Sequence, residues 1–190
     1  MACHAKTLRL RQSAVEDLPI VAGLVDEAVD WLRRVKDTDQ WARPWPSPEL
    51  SRARLRRFIK AGATWIAWDG GTPAATITTQ SRADPRLWTR QEQAELAVYV
   101  HRLIVSRGYA GRGVGAALLN WAASRSASSY GARWVRVDVW TTNKELHEYY
   151  QGQGFALVRI RSDLAYPSGA LFQRPTSDRP VVRGIELSTG

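Results

Sequence analysis

Three glycines alternate in the stretch "SRGYAGRGVGAALLNWA" (Ser106 to Ala122), at Gly111, Gly113 and Gly115. An apolar run begins at once behind them, with Val114, Ala117, Leu118, Leu119, Trp121 and Ala122 at helical spacing. Glycine inside a helix costs roughly 1 kcal/mol against alanine, so three of them at a helix start require an offset. The residues ahead of the loop, "ELAVYVHRLIV" (Glu95 to Val105), are β-rich and read as a strand. A glycine-rich turn from strand to helix is a cradle for an anion. Backbone N–H groups and the helix macrodipole both favour negative charge at the helix N-terminus. Glycine lets a ligand approach with no Cβ in the way. Arg112 adds a cation beside the loop. The alternative reading gives all three glycines a turn or packing role.

The rest of the chain supplies the elements around this turn. "TLRLRQ" (Thr7 to Gln12) alternates as a strand does. A helix follows, with Leu18, Val21, Val25, Ala28 and Leu32 on one face, Asp17 as N-cap and Pro19 in the first turn. "DTDQWARPWPSPEL" is an aromatic, proline-rich loop leading into a basic helix from Ser51 to Ala61. Thr64–Trp68, the turn signal "DGG" and Ala74–Thr79 read as a hairpin. "ADPRLWTRQEQ" reads as a polar excursion. After the glycine loop, a helix runs from Val114 to about Ser128. "GARWVRVDVW" then forms a strand with Val135, Val137 and Val139 on one face. A short helix in "NKELHEYYQGQGF", a strand in "FALVRIR" and another in "GALFQR" complete the pattern. Residues 175–190 read as a tail, or as an edge strand through Val181–Leu187.

Two ligand classes use such a turn. Gly111, Gly113 and Ala116 satisfy the dinucleotide pattern G-x-G-x-x-A. A dinucleotide fold, however, opens with that turn and needs several more strand–helix units than remain here. No G-K-[ST] occurs, so the Walker A loop is absent. The net charge of +9 raises nucleic acid as a partner. Against that, the basic residues scatter along the chain and all but four are arginine, the look of GC-rich coding bias. Only "SRARLRRFIK" clusters them, and Leu55, Phe58 and Ile59 give that cluster an apolar face, as a solvated helix would have.

The second class is coenzyme A. The span from about Glu95 to Phe155 resembles the core of the GCN5-related N-acetyltransferase (GNAT) family. Val105 ends the strand and "AGRGVG" (Ala110 to Gly115) occupies the family's R/Q-x-x-G-x-G/A motif. Ala110 departs from it, standing where the family carries arginine or glutamine; Arg107 and Arg112 are placed to compensate. The later family motif is an asparagine opening a short helix, a tyrosine inside it, then glycine–phenylalanine. Here it reads Asn143, Tyr150, Gly154, Phe155. The resemblance extends by pattern over Leu8 to Arg174, and so implies one α/β domain over residues 1–174. Its centre would be a mixed, splayed β-sheet flanked by helices.

The resemblance also implies roles. Acetyl-CoA is the co-substrate, with its pyrophosphate on the amides of Ala110, Gly111, Arg112, Gly113, Val114 and Gly115. Pantetheine pairs with the backbone of Leu103, Ile104 and Val105, one of whose N–H groups polarises the thioester carbonyl. A lysine-like amine has a reference pKa near 10.4, so only about one in 10³ is neutral at pH 7 and a base is required. His101 is the first candidate, two residues before Leu103 on the same strand face, since histidine as a residue type has a reference pKa near 6.5 suited to a base; Glu95 and Glu92 are rivals. Tyr150 is the candidate acid for the leaving thiolate, and Tyr149 a packing neighbour. Asn143 bonds pantetheine or caps its helix. The acceptor is a primary amine, a small molecule before a protein, attacked directly in a ternary complex. Trp31, Trp41, Trp45 and Trp88 are candidates to line its entry, with core packing the alternative for each.

No metal is implied. Cys3, the single cysteine, forms no internal disulfide, and no apolar run reaches membrane length, so the expected compartment is the cytoplasm. A homodimer is compatible with the sequence. The competing functions are a basic nucleic-acid-binding or CoA-sensing protein of the same fold without catalysis, and an NAD(P)-dependent oxidoreductase.

Overall fold

The computed structural model describes residues 6–42, 47–182 and 185–189. Cys3 and Trp45 lie outside them. The elements run β1 (Lys6–Gln12), α1 (Leu18–Val35), α2 (Pro48–Lys60), β2 (Thr64–Asp69), β3 (Thr72–Gln80), α3 (Arg90–Ala94) and β4 (Ala97–Val105). Then follow α4 (Val114–Tyr130), β5 (Trp134–Val139), α5 (Lys144–Gly152), β6 (Ala156–Ile160), β7 (Ala170–Pro175) and β8 (Ile185–Thr189). The fold is mixed α/β, with strands in both parallel and antiparallel pairings flanked by helices. The described residues divide into two units. One takes residues up to Thr78, Arg102–Leu118 and those from Val182; the other takes Thr79–His101 and Leu119–Val181.

In the first unit the strand order is β3-β2-β1-β8. The β2–β3 hairpin turns at Gly70 and Gly71, with Gly70 at φ +57°, the conformation that such a turn demands. β8 pairs parallel to β1 from Lys6↔Ile185 to Leu10↔Thr189, so the chain's last described residues form an edge strand. Leu8 and Leu10 on β1 are fully buried. Val21 of α1, Leu55 and Ile59 of α2 and Ile66 of β2 make one apolar cluster. The basic helix begins at Pro48, three residues ahead of the expected start. Ser47 caps it, its hydroxyl accepting from the Leu50 N–H at 3.2 Å. Asp17 precedes α1 as expected but does not cap it. It is already helical in φ and ψ, so its carboxylate turns back, accepting from the Ala14 N–H at 2.8 Å and from Arg11 at 2.9 Å.

In the second unit the order is β6-β7-β5-β4. Val135, Val137 and Val139 are buried on one face of β5. Arg136, on the opposite face, is fully buried too. Its guanidinium donates to Gln173 Oε1 at 3.1 Å, the Glu92 carbonyl at 2.5 Å and the Tyr99 hydroxyl at 3.1 Å, and pairs with Glu95. A buried cation persists only with such satisfaction. The stretch read as a polar excursion corrects that expectation. Leu87 and Trp88 are each 2% exposed and pack with Ala97, Tyr99 and Leu171. Behind them α3 starts in a capping box, with the Thr89 N–H donating to Glu92 at 2.8 Å and the Glu92 N–H to Thr89 Oγ at 3.3 Å.

Candidate active site

Within the first unit, β4 ends at Val105 and a 3-10 turn over Arg107–Tyr109 leads to the glycines. Gly111 sits at φ +74° and Gly113 at φ +79°. Any L-residue there would carry about 1–2 kcal/mol of strain, which is why the sequence uses glycine. The first bond of α4 runs from the Ala117 N–H to the Gly113 carbonyl at 2.9 Å. The amides of residues 114–116 therefore have no intrahelical acceptor, as at any helix start.

The loop is fastened from three sides of its own unit. The Ser106 N–H donates to the Ala74 carbonyl at 2.9 Å. Glu27 on α1 accepts from the Ser106 hydroxyl at 3.2 Å and the Arg107 N–H at 2.9 Å. The Tyr109 hydroxyl donates to Asp69 at 2.6 Å, and Lys6 pairs with the same carboxylate at 2.5 Å. The Lys6 and Tyr109 bonds hold the Asp69 carboxyl below its usual range, and the same bond pushes the Tyr109 phenol up. Two guanidinium groups flank the turn. Arg107 stacks 3.9 Å over the Trp31 ring, and Arg112 lies 5.6 Å over Tyr109. Ala110 brings only its backbone, its N–H donating to the Arg107 carbonyl at 3.3 Å.

One feature of β4 has no mark in the sequence: Arg102 lies at φ +46°, interrupting the extended run just ahead of Leu103, Ile104 and Val105. A bulky residue there is strained by roughly 1–3 kcal/mol, and such strain concentrates at functional positions. Its guanidinium lies 5.2 Å over Phe58 of α2.

In the second unit, β4 and β5 pair in parallel from Ala97↔Trp134 to Val100↔Val137. The next residue of each strand is chemical: His101 on β4 and Asp138 on β5. Nδ1 of His101 stands 3.2 Å from Oδ1 of Asp138, whose side chain is 6% exposed. The other carboxylate oxygen accepts from the Tyr166 hydroxyl at 2.6 Å. Asp138 and Tyr166 escaped the sequence reading. The available signal was "WVRVDV", which puts Arg136 and Asp138 on a strand with both faces covered, where a charge needs a partner or a task.

Tyr150 on α5 is 8% exposed. Its ring meets Phe155 edge-on at 5.4 Å and stacks with Phe172 at 6.4 Å. Burial pushes its phenol well above the usual value; Tyr149 and Asp138 push the same way. Asn143 caps α5, its Oδ1 accepting from the Leu146 N–H at 3.0 Å. Trp88 lies in the core against Tyr99, so it does not line an entry.

The two glutamates at the start of β4 are engaged elsewhere. Glu95 pairs with Arg136 and Glu92 with Arg159. Burial pushes the Glu92 carboxyl up, but its bonds to Arg159 and Thr89 prevail and hold it below the usual range. Glu95→Gln is expected to cost about 2–3 kcal/mol, since it removes the carboxylate paired with the fully buried Arg136, an effect reduced from the full buried-pair value because Glu95 is itself 42% exposed. Turnover should stay within about threefold of wild type. Urea melts and steady-state rates on the same preparation check both; a rate collapse without destabilisation would make Glu95 the base.

Among the described residues, no cluster of three His, Cys, Asp or Glu side chains is placed to hold a metal ion. No helix there is long and apolar enough to cross a membrane.

Sequence comparison settles the class. The family model described as "Acetyltransferase (GNAT) family" matches residues 24–155, and the chain belongs to that family of N-acetyltransferases. The oxidoreductase alternative falls with that finding. The uncharacterized N-acetyltransferase YesJ of Bacillus subtilis is 28% identical over 146 residues, spanning 75% of this chain and 78% of that protein. A GNAT-family acetyltransferase from Listeria monocytogenes shares the fold at TM-score 0.71 and 20% identity, over 88% of this chain and 94% of that one. The PaiA N-acetyltransferase of Thermoplasma acidophilum, solved in complex with coenzyme A, matches at TM-score 0.68 and 17% identity. That match covers 88% of this chain and 98% of that one.

Proposed function

We propose that this protein transfers the acetyl group of acetyl-CoA to a primary amine, by direct attack in a ternary complex. The supporting observation is the pair of left-handed glycines, Gly111 and Gly113, at the start of α4, with Arg107 and Arg112 beside them. Bare amides, the helix N-terminus and two cations suit a diphosphate. The backbone of Leu103, Ile104 and Val105 holds pantetheine, and one N–H there polarises the thioester carbonyl.

In the reaction the amine nitrogen attacks the carbonyl carbon. The C–N bond forms, the C–S bond breaks, and the amine's proton passes to His101. The sulfur leaves as thiolate and is protonated by Tyr150. Burial raises the Tyr150 phenol, so it stays protonated at neutral pH and keeps a proton to give. His101 takes the base role over Glu95 and Glu92 because both glutamates are held in ion pairs. The net charge of +9 disfavours polycationic acceptors, and a small monoamine is the favoured class.

The test is acetyl-CoA with a panel of primary amines: tyramine, lysine, spermidine and an unblocked peptide. Free thiol release and product mass are read together. Acetylation of at least one amine above the hydrolysis background supports the reading; binding of acetyl-CoA with no transfer to any amine supports the catalytically silent alternative.

A further inference from the structure

His101 and Asp138 are the first residues past the last parallel pair of β4 and β5, Val100↔Val137. There the two side chains face each other at 3.2 Å. The Asp138 carboxylate is nearly buried and receives the Tyr166 hydroxyl on its second oxygen. Tyr166 is fixed in turn, packed on the cluster of Leu87, Trp88 and Tyr99, with the Arg86 guanidinium 5.5 Å over its ring. A carboxylate at one imidazole nitrogen selects the tautomer, and a hydroxyl bonded to that carboxylate fixes its orientation.

We infer that Asp138 and Tyr166 are positioning residues for His101: they hold it as the Nδ1–H tautomer, so that Nε2 carries the lone pair that takes the amine's proton. The inference rests on the reading of His101 as the base. Other charged groups bear on this site. Asp84 acts on it electrostatically and is itself bonded by Arg86. Arg86 also bears on Asp138 and Tyr166, and Asp138 bears on Tyr150.

The two positioning residues are read by tautomer and rate. Asp138→Asn replaces the carboxylate at Nδ1 with an amide, so the excess of the Nδ1–H form falls. Tyr166→Phe keeps the carboxylate but removes the bond that orients it, so the excess falls less. Asp138→Asn should lower kcat at least about tenfold, with the KM for acetyl-CoA within about twofold. Long-range ¹H–¹⁵N spectra of the imidazoles read the tautomer without any amine, and His101→Gln assigns the signal among the three histidines. An Nε2–H tautomer in the wild type, or an unchanged tautomer population in both variants, overturns the inference. The reading of His101 as base fails separately, if His101→Gln keeps wild-type rates with the best amine of the panel. Should Asp138→Asn not fold, the wild-type tautomer and Tyr166→Phe still decide.

Discussion

Tyr150→Phe is expected to lower kcat by about 10²–10³-fold, the range of a positioned general acid, while acetyl-CoA affinity stays within about twofold. The substitution keeps the ring contacts with Phe155 and Phe172 and removes only the hydroxyl, so stability should change little. The pH dependence follows from the direction of the shift. Burial raises the folded-state value of Tyr150 above its unfolded value near 10. Its neutral phenol therefore contributes stability that is fully present below pH 10 and is lost as pH rises through the folded value. For the same reason the phenol stays protonated across the assay range, and no alkaline fall in kcat below about pH 10 should trace to it. Pre-steady-state rates and calorimetry on the variant separate chemistry from binding. Wild-type turnover in Tyr150→Phe would remove this residue from the mechanism.

Gly111→Val should weaken acetyl-CoA binding by about 10–10²-fold. A Cβ at Gly111 meets no protein atom within 4 Å, so crowding against the protein is not the cause. The cost comes from φ +74°, which a β-branched residue adopts only with strain, and from side-chain atoms where the diphosphate approaches. Gly108→Ala is the control: it lies in the 3-10 turn ahead of the loop, its Cβ also meets nothing, and its φ is not in the left-handed range. Affinity in Gly108→Ala should match wild type. Equal affinities in Gly111→Val and wild type would remove the loop from cofactor binding.

The parts of the fold that were legible in the sequence are those with a local cause. "DGG" announced its hairpin, the alternating valines announced β5, and Asn143 stood at the start of α5. The glycine loop was legible because positive φ leaves a residue-type signature, as at Gly111 and Gly113. What was hidden depends on partners far along the chain. Leu87 and Trp88 sit in a polar stretch and become core only when Tyr99 and Leu171 close over them. Asp17 and its helix are adjacent, yet the cap went to the preceding turn because the backbone at Asp17 was already helical. His101 was visible as a candidate base, but nothing near it in sequence pointed to Asp138 or Tyr166, which tertiary structure alone brings to it. Arg102 was hidden for a different reason: its left-handed φ is carried by a residue that gives no sign of it.

Every step proposed above depends on acetyl-CoA binding at the loop from Ala110 to Gly115. Calorimetric titration with acetyl-CoA tests it most directly, with NAD and a short DNA duplex as parallel ligands. One-to-one binding of acetyl-CoA is expected, with a Kd in the micromolar range, about −8 kcal/mol, and no heat from NAD. Absence of acetyl-CoA binding would contradict it, and a salt-dependent DNA isotherm in the same series would transfer the role of the +9 charge to nucleic acid.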